Sequence, residues 1–389
     1  MVVGFEQFDG QWGPNAQLAW DTLAAKPARG IPSWLIHPMQ HSIIEELAGA
    51  APGEYRKDPR RVYLQMQRNV GTCLIDQFIP DNPLSMGDHG YESSTQHAAT
   101  TGAEKIVCDG ILIDSPEAVA KHLESVVFPA LNKAAEEFNE QSAQEQLERL
   151  VAGEVSVQEE FGTDILKCPY GGFFGFPGFR YGTYGYVHYF SAYALYPELM
   201  ERDFSFQADL QALWNRVRAR AIVEGHLPNW LRLDHDMADS RGTLVNIRSL
   251  DRIWFPHFAR AIQPFLDGGI RLLWHCDGNL MAIVPRLVEA GVSGFQGFQY
   301  EDGMDYEQIC RMKDREGRPL AIIGGVSVTT TLPHGTPDDV RKQLAWLVRH
   351  GPPVGLFLAC SSTIAPGTPR ENILTLVEGL RYYREHGRE

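Results

Sequence analysis

Short apolar runs alternate with longer amphipathic stretches along most of the chain. This alternation is typical of parallel βα units. The predicted strands span residues 33–37, 72–78, 164–169, 230–234, 270–275, 294–298, 321–324 and 354–359. The predicted helices between the later strands span residues 249–265, 280–290, 306–316 and 336–350, and a final helix begins near Pro369. Eight strands with interleaved helices favour an α/β fold, a single (β/α)8 TIM barrel, although an open doubly wound sheet would give the same pattern.

Three segments do not fit this alternation. Residues 1–30 are predicted to be a loosely structured N-terminal extension to a barrel of residues 31–389. An insertion at about 79–115 contains many small and polar residues, and its Asp109-Gly110 pair predicts a hairpin turn. A second insertion, at 171–197 after the third strand, is rich in glycine and aromatic residues. It is either a packed irregular loop or an aromatic wall over the barrel mouth.

Charge and cysteine usage narrow the class of protein. The formal net charge is -14, without a long basic run, which argues against binding of nucleic acid through phosphate contacts. No apolar run reaches the roughly 18 residues needed to cross a bilayer, and the first residues do not resemble a secretory signal. The six cysteines are scattered and form no CxxC motif, which is typical of reduced thiols. We therefore expect a cytoplasmic protein.

Polar side chains follow nearly every predicted strand. Because the carboxyl ends of barrel strands converge on one pocket, we expect these side chains to lie close together. The candidates for substrate binding are His37, Asn82, Tyr170, His235 and Tyr300. The candidates for catalysis are Asp234, Asp236 and Glu301.

The acidic pair after the fourth strand allows two interpretations. Asp234 or Asp236 could act as a general base or orient a neighbouring histidine. Alternatively, one of these carboxylates caps the next helix or forms an ion pair with Arg241 or Arg248.

The ends of the fifth and eighth strands carry candidate metal ligands. His275, Asp277 and Cys360 offer an imidazole, a carboxylate and a thiolate, which together could hold a catalytic zinc ion with an open fourth position. Cys276 competes as a ligand, but alternation along an extended chain predicts that it faces away. The alternative is that His275 and Asp277 bind substrate while Cys360 is a small packed core residue.

Four stretches of the second half resemble the uroporphyrinogen decarboxylase superfamily. They read LRLDHDMADSRGTLVNIRSLDRIWFPHFARAI, LLWHCDGNLMAIVPRLVEAGVSGFQGFQ, IIGGVSVTTTLPHGTPDDVRKQL and LFLACSSTIAPGTPRENILTLVEGLRYY. The similarity is dense from about Trp230 to Tyr383 and thinner over residues 31–83. It implies the (β/α)8 fold.

The resemblance is closer to the cobalamin-dependent methyltransferase branch than to true uroporphyrinogen decarboxylases. Those decarboxylases carry an arginine-rich signature that binds porphyrinogen carboxylates, whereas the matching stretch here, GIPSWLIHPMQHS, contains no arginine. Many methyltransferases of the other branch bind zinc through a His-x-Cys-Gly-Asn motif and a later cysteine. His275 and Cys360 match that pattern, while Asp277 stands where the motif has cysteine.

The resemblance implies a methyltransferase that moves a methyl group between a small methylated compound and a corrinoid protein or folate. The implied cofactors are zinc and a corrinoid such as methylcobalamin, and a homodimer is among the expected assemblies. Two alternatives stay open. One is a metal-free decarboxylase or lyase that uses Asp234 and His275 in acid and base roles. The other is a non-catalytic subunit that partners a corrinoid protein.

Overall fold

Parallel strands form the centre of the computed structural model, which describes residues 4–80 and 106–389. The strands are Leu74–Ile75 (β1), Val107–Cys108 (β2), Ile111–Leu112 (β3), Leu166–Lys167 (β4), Trp230–Asp234 (β5), Ala238–Asp239 (β6), Gly242–Thr243 (β7), Arg271–His275 (β8), Val292–Gln296 (β9), Ala321–Val326 (β10) and Leu356–Cys360 (β11). The helices up to the second insertion are Pro14–Leu23 (α1), His41–Ala48 (α2), Glu54–Lys57 (α3), Pro59–Val70 (α4), Pro116–His122 (α5), Phe128–Glu136 (α6) and Glu140–Phe161 (α7). The later helices are Tyr181–Tyr184 (α8), Tyr186–Leu195 (α9), Pro197–Glu224 (α10), Ile247–Ile253 (α11), Phe255–Asp267 (α12), Val284–Ala290 (α13), Tyr306–Arg311 (α14), Thr331–His334 (α15), Pro337–His350 (α16) and Arg370–His386 (α17).

The parallel strands follow one another in the order expected of a barrel. One sheet runs β5-β8-β9-β10-β11. Isolated parallel bridges then join Leu358 to Ser33 and Trp34 to Leu74, and β1 pairs with β4. The predicted parallel α/β architecture is therefore confirmed, although the first predicted strand, 33–37, is reduced to these bridges. Among the described residues no strand pairing joins β4 to β5, so the closed barrel stays a prediction.

Side-chain alternation along β5 separates an apolar face from a polar one. Leu231 and Leu233 are fully buried, and burial of a leucine side chain contributes about 1.5–3 kcal/mol. Arg232 and Asp234 occupy the opposite face, because successive strand residues point to opposite sides. This polar face points to the interior, where Arg232 contacts Asp76 after β1. β5 thus places the charged side chains of Arg232 and Asp234 in the interior.

The N-terminal segment is packed, and its predicted loose structure is wrong. Phe5 lies 5.6 Å from Phe8 between ring centroids, and Phe8 lies 5.5 Å from Trp12. The backbone N–H of Phe5 donates to the carbonyl of Gly225 over 2.8 Å. Aromatic contacts and this tie to the end of α10 hold the segment against the body of the protein.

Several local predictions can be compared directly with the structure. The Asp109-Gly110 hairpin is confirmed, since β2 and β3 pair on either side of two residues with φ of 48° and 79°. The predicted helix 336–350 is confirmed as α16, which begins after Thr336 with a capping box formed by Thr336 and Asp339. The predicted helix 249–265 is two helices, because the chain leaves helical geometry at Trp254 just before Pro256. In the described residues no helix is both long and apolar enough to cross a membrane.

The aromatic insertion at 171–197 is largely helical and is fixed to the helices around it. The side-chain amide of Asn215 in α10 donates to the carbonyls of Gly175 and Ala261, over 2.7 Å in each case. The indole N–H of Trp254 donates to the carbonyl of Pro177 over 2.8 Å. The irregular structure of the packed-loop interpretation is therefore wrong, and an aromatic wall for a ligand stays a prediction.

Candidate functional site at the carboxyl ends of the strands

Three polar residues lie side by side at the ends of neighbouring strands. The strand register pairs Asp234 of β5 with His275 of β8, and His275 with Gln296 of β9. All three line a cavity of about 190 Å³, here called the inner cavity. The other residues that line it are Trp34, Leu35, His37, Gln77, Ile79, Arg232, Cys360, Ser362 and Thr363. A pocket of this size suits a small molecule.

A buried cation holds one wall of the inner cavity. The guanidinium of Arg232 donates to Asp76 over 2.7 Å, to Gln77 over 3.0 Å and to Asp234 over 3.3 Å. It also lies 4.5 Å above the ring of Tyr170. We call Asp76, Arg232 and Asp234 the inner ion group. Every charge in this group has a partner, as buried charges require.

Asp234 is held in its ionised form. Its burial raises the pKa, but the neighbouring charges of His275 and Arg232 and the Tyr170 hydrogen bond outweigh that effect, so the pKa lies below its usual value. The Tyr170 hydroxyl donates to Asp234 over 2.6 Å. Burial raises the pKa of this tyrosine, so that it remains a neutral donor. At neutral pH Asp234 is therefore an acceptor that cannot give up a proton.

Asp236, His275 and Asp277 form a group that could hold a metal ion. Each offers a ligand atom, and these atoms lie within 4.8 Å of one another. The Nδ1 atom of His275 and the Oδ1 atom of Asp277 are buried and find no hydrogen-bond partner among the described residues. Buried polar atoms without partners are unusual, and these two atoms are available to bind a ligand or an ion. We call these three residues the trio.

The two carboxylates of the trio lie beside each other, and their negative charges repel. Burial raises the pKa of Asp277, and the negative charges of Asp236 and Asp234 raise it further, against the effect of His275. The backbone N–H of Asp277 donates to the carboxylate of Asp236 over 3.1 Å. Two carboxylates and an imidazole are ligands that suit a divalent cation, so the residues present fit the implied metal.

Gly297 leaves room for the ring of His275. A Cβ atom at this position would lie 2.6 Å from the His275 Nδ1 atom, and the backbone of Gly297 has a φ of +86°. Both observations favour glycine, because other residues rarely adopt this φ and their side chains would meet the ring. Gly297 thus positions the imidazole at the end of β8.

Cys360 does not belong to the trio. It lines the cavity together with His275, but it is not part of the group whose ligand atoms lie close together. Burial raises the pKa of its thiol to about 11. The backbone of His37 lies beside this thiol, and burial lowers the pKa of the His37 imidazole to about 4. At neutral pH both groups are uncharged.

The structure does not bring every predicted residue to the cavity. His235 accepts a hydrogen bond from the Phe179 backbone over 2.9 Å and packs within the aromatic insertion. Tyr300 donates to the Gly325 carbonyl over 3.0 Å, and its ring stacks on Phe298. Neither residue lines the inner cavity, so their placement there was wrong.

Two further predicted residues do not meet the inner cavity. Glu301 is exposed and accepts a hydrogen bond from the Ser327 hydroxyl over 3.1 Å. This contact places it outside the cavity lining. Asn82 lies outside the described residues.

Several residues that line or support the cavity were not predicted from the sequence. Arg232 was recognisable as a charge inside an apolar strand, WLRLD, two residues before Asp234. Gln296 was not recognised as the last residue of its strand, because β9 ends two residues earlier than the predicted strand 294–298. The turn at Gly297 ends the strand, and the chain then carries Tyr300 away from the cavity. Cys276 faces away from the cavity, as alternation predicts, and its thiol accepts from the Met237 backbone.

The strand order and the polar row define a parallel α/β protein with a pocket at the carboxyl ends of its strands. Residues 236–383 match the family model Uroporphyrinogen decarboxylase (URO-D). The second half of the chain is thus similar to the uroporphyrinogen decarboxylase superfamily, and the resemblance of its sequence motifs is confirmed.

The fold is shared with a solved structure. A methyltransferase from Methanosarcina mazei superposes with a TM-score of 0.54 at 16% sequence identity, covering 95% of this chain and 98% of that one. At this identity the likeness shows the fold alone. None of the curated proteins that were compared matches the chain in sequence.

Proposed function

We propose that this protein is an enzyme that transfers a methyl group between a small methylated compound and a corrinoid protein or folate. The observation that carries the proposal is the trio beside Asp234, at the ends of neighbouring strands. The structural likeness to a methanogen methyltransferase supports methyl transfer as the reaction class. A closed (β/α)8 barrel is part of the same proposal.

A divalent metal ion, zinc in the first instance, would be held by His275 and Asp277. Asp236 is the third ligand that the geometry favours, and Cys360 is the one that the resemblance implies. When bound, such an ion acts as a Lewis acid that polarises the heteroatom carrying the methyl group. Three protein ligands leave a coordination position open for substrate, as catalytic sites require.

The residues around the inner cavity would bind and orient the small compound. Asp234, ionised and fixed by Arg232 and Tyr170, accepts a proton or a hydrogen bond at its carboxylate. Gln296 presents a buried Oε1 atom that has no hydrogen-bond partner in the described part of the chain. His37 and Cys360 contribute an uncharged wall. No role is proposed for Tyr300 or Glu301.

The charge of the inner cavity argues against a small carboxylic acid as substrate. Arg232 is the single arginine or lysine among the described residues that line it, and two carboxylates already engage it. A substrate carboxylate would therefore meet the ionised Asp234, while the guanidinium of Arg232 is already engaged. This observation disfavours the metal-free decarboxylase.

Metal analysis of the purified protein tests the metal part of the proposal. We expect about one divalent ion per chain, and loss of that ion in His275→Ala and Asp277→Asn. Comparison of Asp236→Asn with Cys360→Ser identifies the third ligand. The matched control is Cys108→Ser, which replaces a thiol in the β2-β3 hairpin and should retain the metal.

A transfer assay tests the reaction class. Methylated amines, ethers and thioethers are offered with reduced cobalamin, and formation of methylcobalamin is followed by its absorbance. We expect turnover with at least one donor class and its loss in His275→Ala. Release of CO2 from an acid substrate, undiminished by a chelator, would instead support the decarboxylase.

A further inference from the structure

Gln296 places a buried hydrogen-bond acceptor beside the trio. This residue is 3% exposed and lines the inner cavity. Its side-chain nitrogen donates to the carbonyl of Ser361 over 2.9 Å, and because a carbonyl can only accept, this contact fixes the orientation of the amide. The Oε1 atom is buried and has no hydrogen-bond partner among the described residues. The group that Gln296 offers to a ligand is therefore an acceptor.

The strand register places this acceptor on the same face as the imidazole of the trio. His275 of β8 pairs with Gln296 of β9, and neighbouring strands lie about 4.8 Å apart. The residues just before them, Trp274 and Phe295, are also paired, and Trp274 packs against Phe258 of α12. Because successive strand residues point to opposite sides, His275 and Gln296 both point away from α12 and towards the inner cavity.

Two other acceptors that line the inner cavity are already engaged. Asp234 accepts hydrogen bonds from Tyr170 and Arg232. The side-chain oxygen of Gln77 accepts from Arg232 over 3.0 Å. A buried acceptor without a partner costs free energy that a ligand can recover by donating to it. A hydrogen bond to Gln296 should therefore add more to ligand binding than one to Asp234 or Gln77.

The metal ion of the proposed function restricts the charge of the ligand. A Lewis acid polarises a heteroatom through a lone pair, which an ether oxygen or a thioether sulfur retains. An alkylamine, like the lysine side chain, is largely protonated at neutral pH and then has no lone pair to offer. A carboxylic acid would bring its negative charge to the ionised Asp234. A neutral compound methylated on oxygen or sulfur meets these conditions.

We infer that Gln296 selects a small neutral compound that carries a hydroxyl group a few bonds away from its methylated oxygen or sulfur. The hydroxyl would donate to the Oε1 atom of Gln296 while the methylated heteroatom lies beside His275. The short distance between the two strands requires the two groups to be close together in the molecule. A cavity of about 190 Å³ suits a compact molecule of this kind.

The inference deepens the proposed function and rests on it for the methylated heteroatom. The recognition of the hydroxyl rests on Gln296 alone. Binding and methyl transfer are therefore measured separately.

Calorimetric titration of the full chain with zinc present tests the selection on two pairs of compounds of the same shape. One pair is 2-methoxyethanol and methyl propyl ether, and the other is 2-(methylthio)ethanol and methyl propyl sulfide. Within each pair a methyl group replaces the hydroxyl, while the methylated heteroatom stays. We expect the alcohol to bind at least about fivefold more tightly than its partner in at least one pair.

Gln296→Met tests the residue, because it keeps the length of the side chain and removes the acceptor. It should weaken binding of the alcohol by about fivefold and leave binding of the matching ether or sulfide within about twofold of wild type. A merely structural role would weaken both members of a pair equally. Gln296→Leu, with the same expected result, serves where Gln296→Met does not fold.

Gln343→Met is the matched control and should keep the wild-type preference. Gln343 is a half-buried residue of α16 that accepts from the backbone N–H of Ser327 over 3.1 Å. It does not line the inner cavity.

The results separate this inference from the proposed function. Equal binding within both pairs, absence of binding by all four compounds, or an unaltered preference in the Gln296 variant would overturn the inference. A preference for the alcohol that Gln296→Met abolishes, without methyl transfer from any compound, would leave the inference standing and overturn the proposed function. Methyl transfer from methylated amines alone would do the reverse.

Discussion

The inner ion group and the trio lie within a few residues of each other, yet their charges are arranged in opposite ways. Asp76 and Asp234 share the guanidinium of Arg232. Burial and the charge of Asp236 raise the pKa of Asp277, and two buried atoms of the trio have no partner in the described residues. The polar residues at the strand ends therefore divide into a set whose charges are mutually paired and a set that has buried atoms without a partner among the described residues.

The largest effect should follow from removal of the cation of the inner ion group. Arg232→Met keeps much of the side-chain volume but leaves two buried carboxylates unpaired, so the free energy of unfolding should fall by about 3–5 kcal/mol. Denaturant unfolding measures it. The double variant with Asp76→Asn should recover part of the loss. A fall of less than about 1 kcal/mol in the free energy of unfolding would show that Asp76 and Asp234 do not depend on the charge of Arg232.

A smaller effect is expected where the backbone makes room for the trio. Gly297→Ala should lower the free energy of unfolding by about 1–3 kcal/mol and should weaken metal binding, since the new Cβ meets the His275 ring. Gly317→Ala is the matched control, because Gly317 has a similar φ of +80° with no atom within 4 Å of an added Cβ. Equal metal affinities in the two variants would contradict the positioning role.

Acid should destabilise the protein through the buried His37. Its folded pKa is about 4, against roughly 6.5 in the unfolded chain. Between about pH 6.5 and about pH 4 this histidine is protonated in the unfolded state but neutral in the folded state. The free energy of unfolding therefore falls as the pH is lowered from roughly 6.5 to about 4. His37→Gln should make the dependence shallower by up to about 1.4 kcal/mol per pH unit.

Unfolding measured from pH 7 to pH 4 checks the prediction for His37. The exposed His386→Gln serves as control and should retain the wild-type slope. An unchanged slope in His37→Gln would show that this histidine is not the group responsible.

The smallest effect has the opposite sign. In the presence of a chelator, Asp277→Asn should raise the free energy of unfolding by about 0.5–1 kcal/mol, because it removes one of two neighbouring negative charges. Metal binding should be lost in the same variant. Asp76→Asn, which breaks the inner ion group, should destabilise. Destabilisation by both substitutions to a similar extent would remove the distinction between the two groups.

The sequence predicted the second half of the fold well. Strand 270–275 corresponds to β8, and the start of α16 was found from Thr336. The error in β9 has a local cause, since Phe295-Gln296 and Phe298-Gln299 repeat the same dipeptide around Gly297. Periodicity cannot choose between the two copies, whereas the φ of +86° at Gly297 does.

The site was predicted in part. Asp234, His275 and Asp277 meet at the strand ends, as alternation along the chain suggested. The approach of Asp236 to Asp277 depends on the β6-β7 hairpin and on a backbone hydrogen bond, which no residue pattern reports. The long helices α7 and α10 were not predicted, and they separate β4 from the strands on either side of it in sequence.

The attachment of the aromatic insertion has a kinetic consequence. Asn215 and Trp254 donate hydrogen bonds to its backbone carbonyls. The guanidinium of Arg180 also pairs with the fully buried Asp203 over 2.8 Å. A wall so fastened is already in place before a ligand arrives, so little conformational entropy is lost on binding. Binding of a ligand against this wall should then be paced by diffusion.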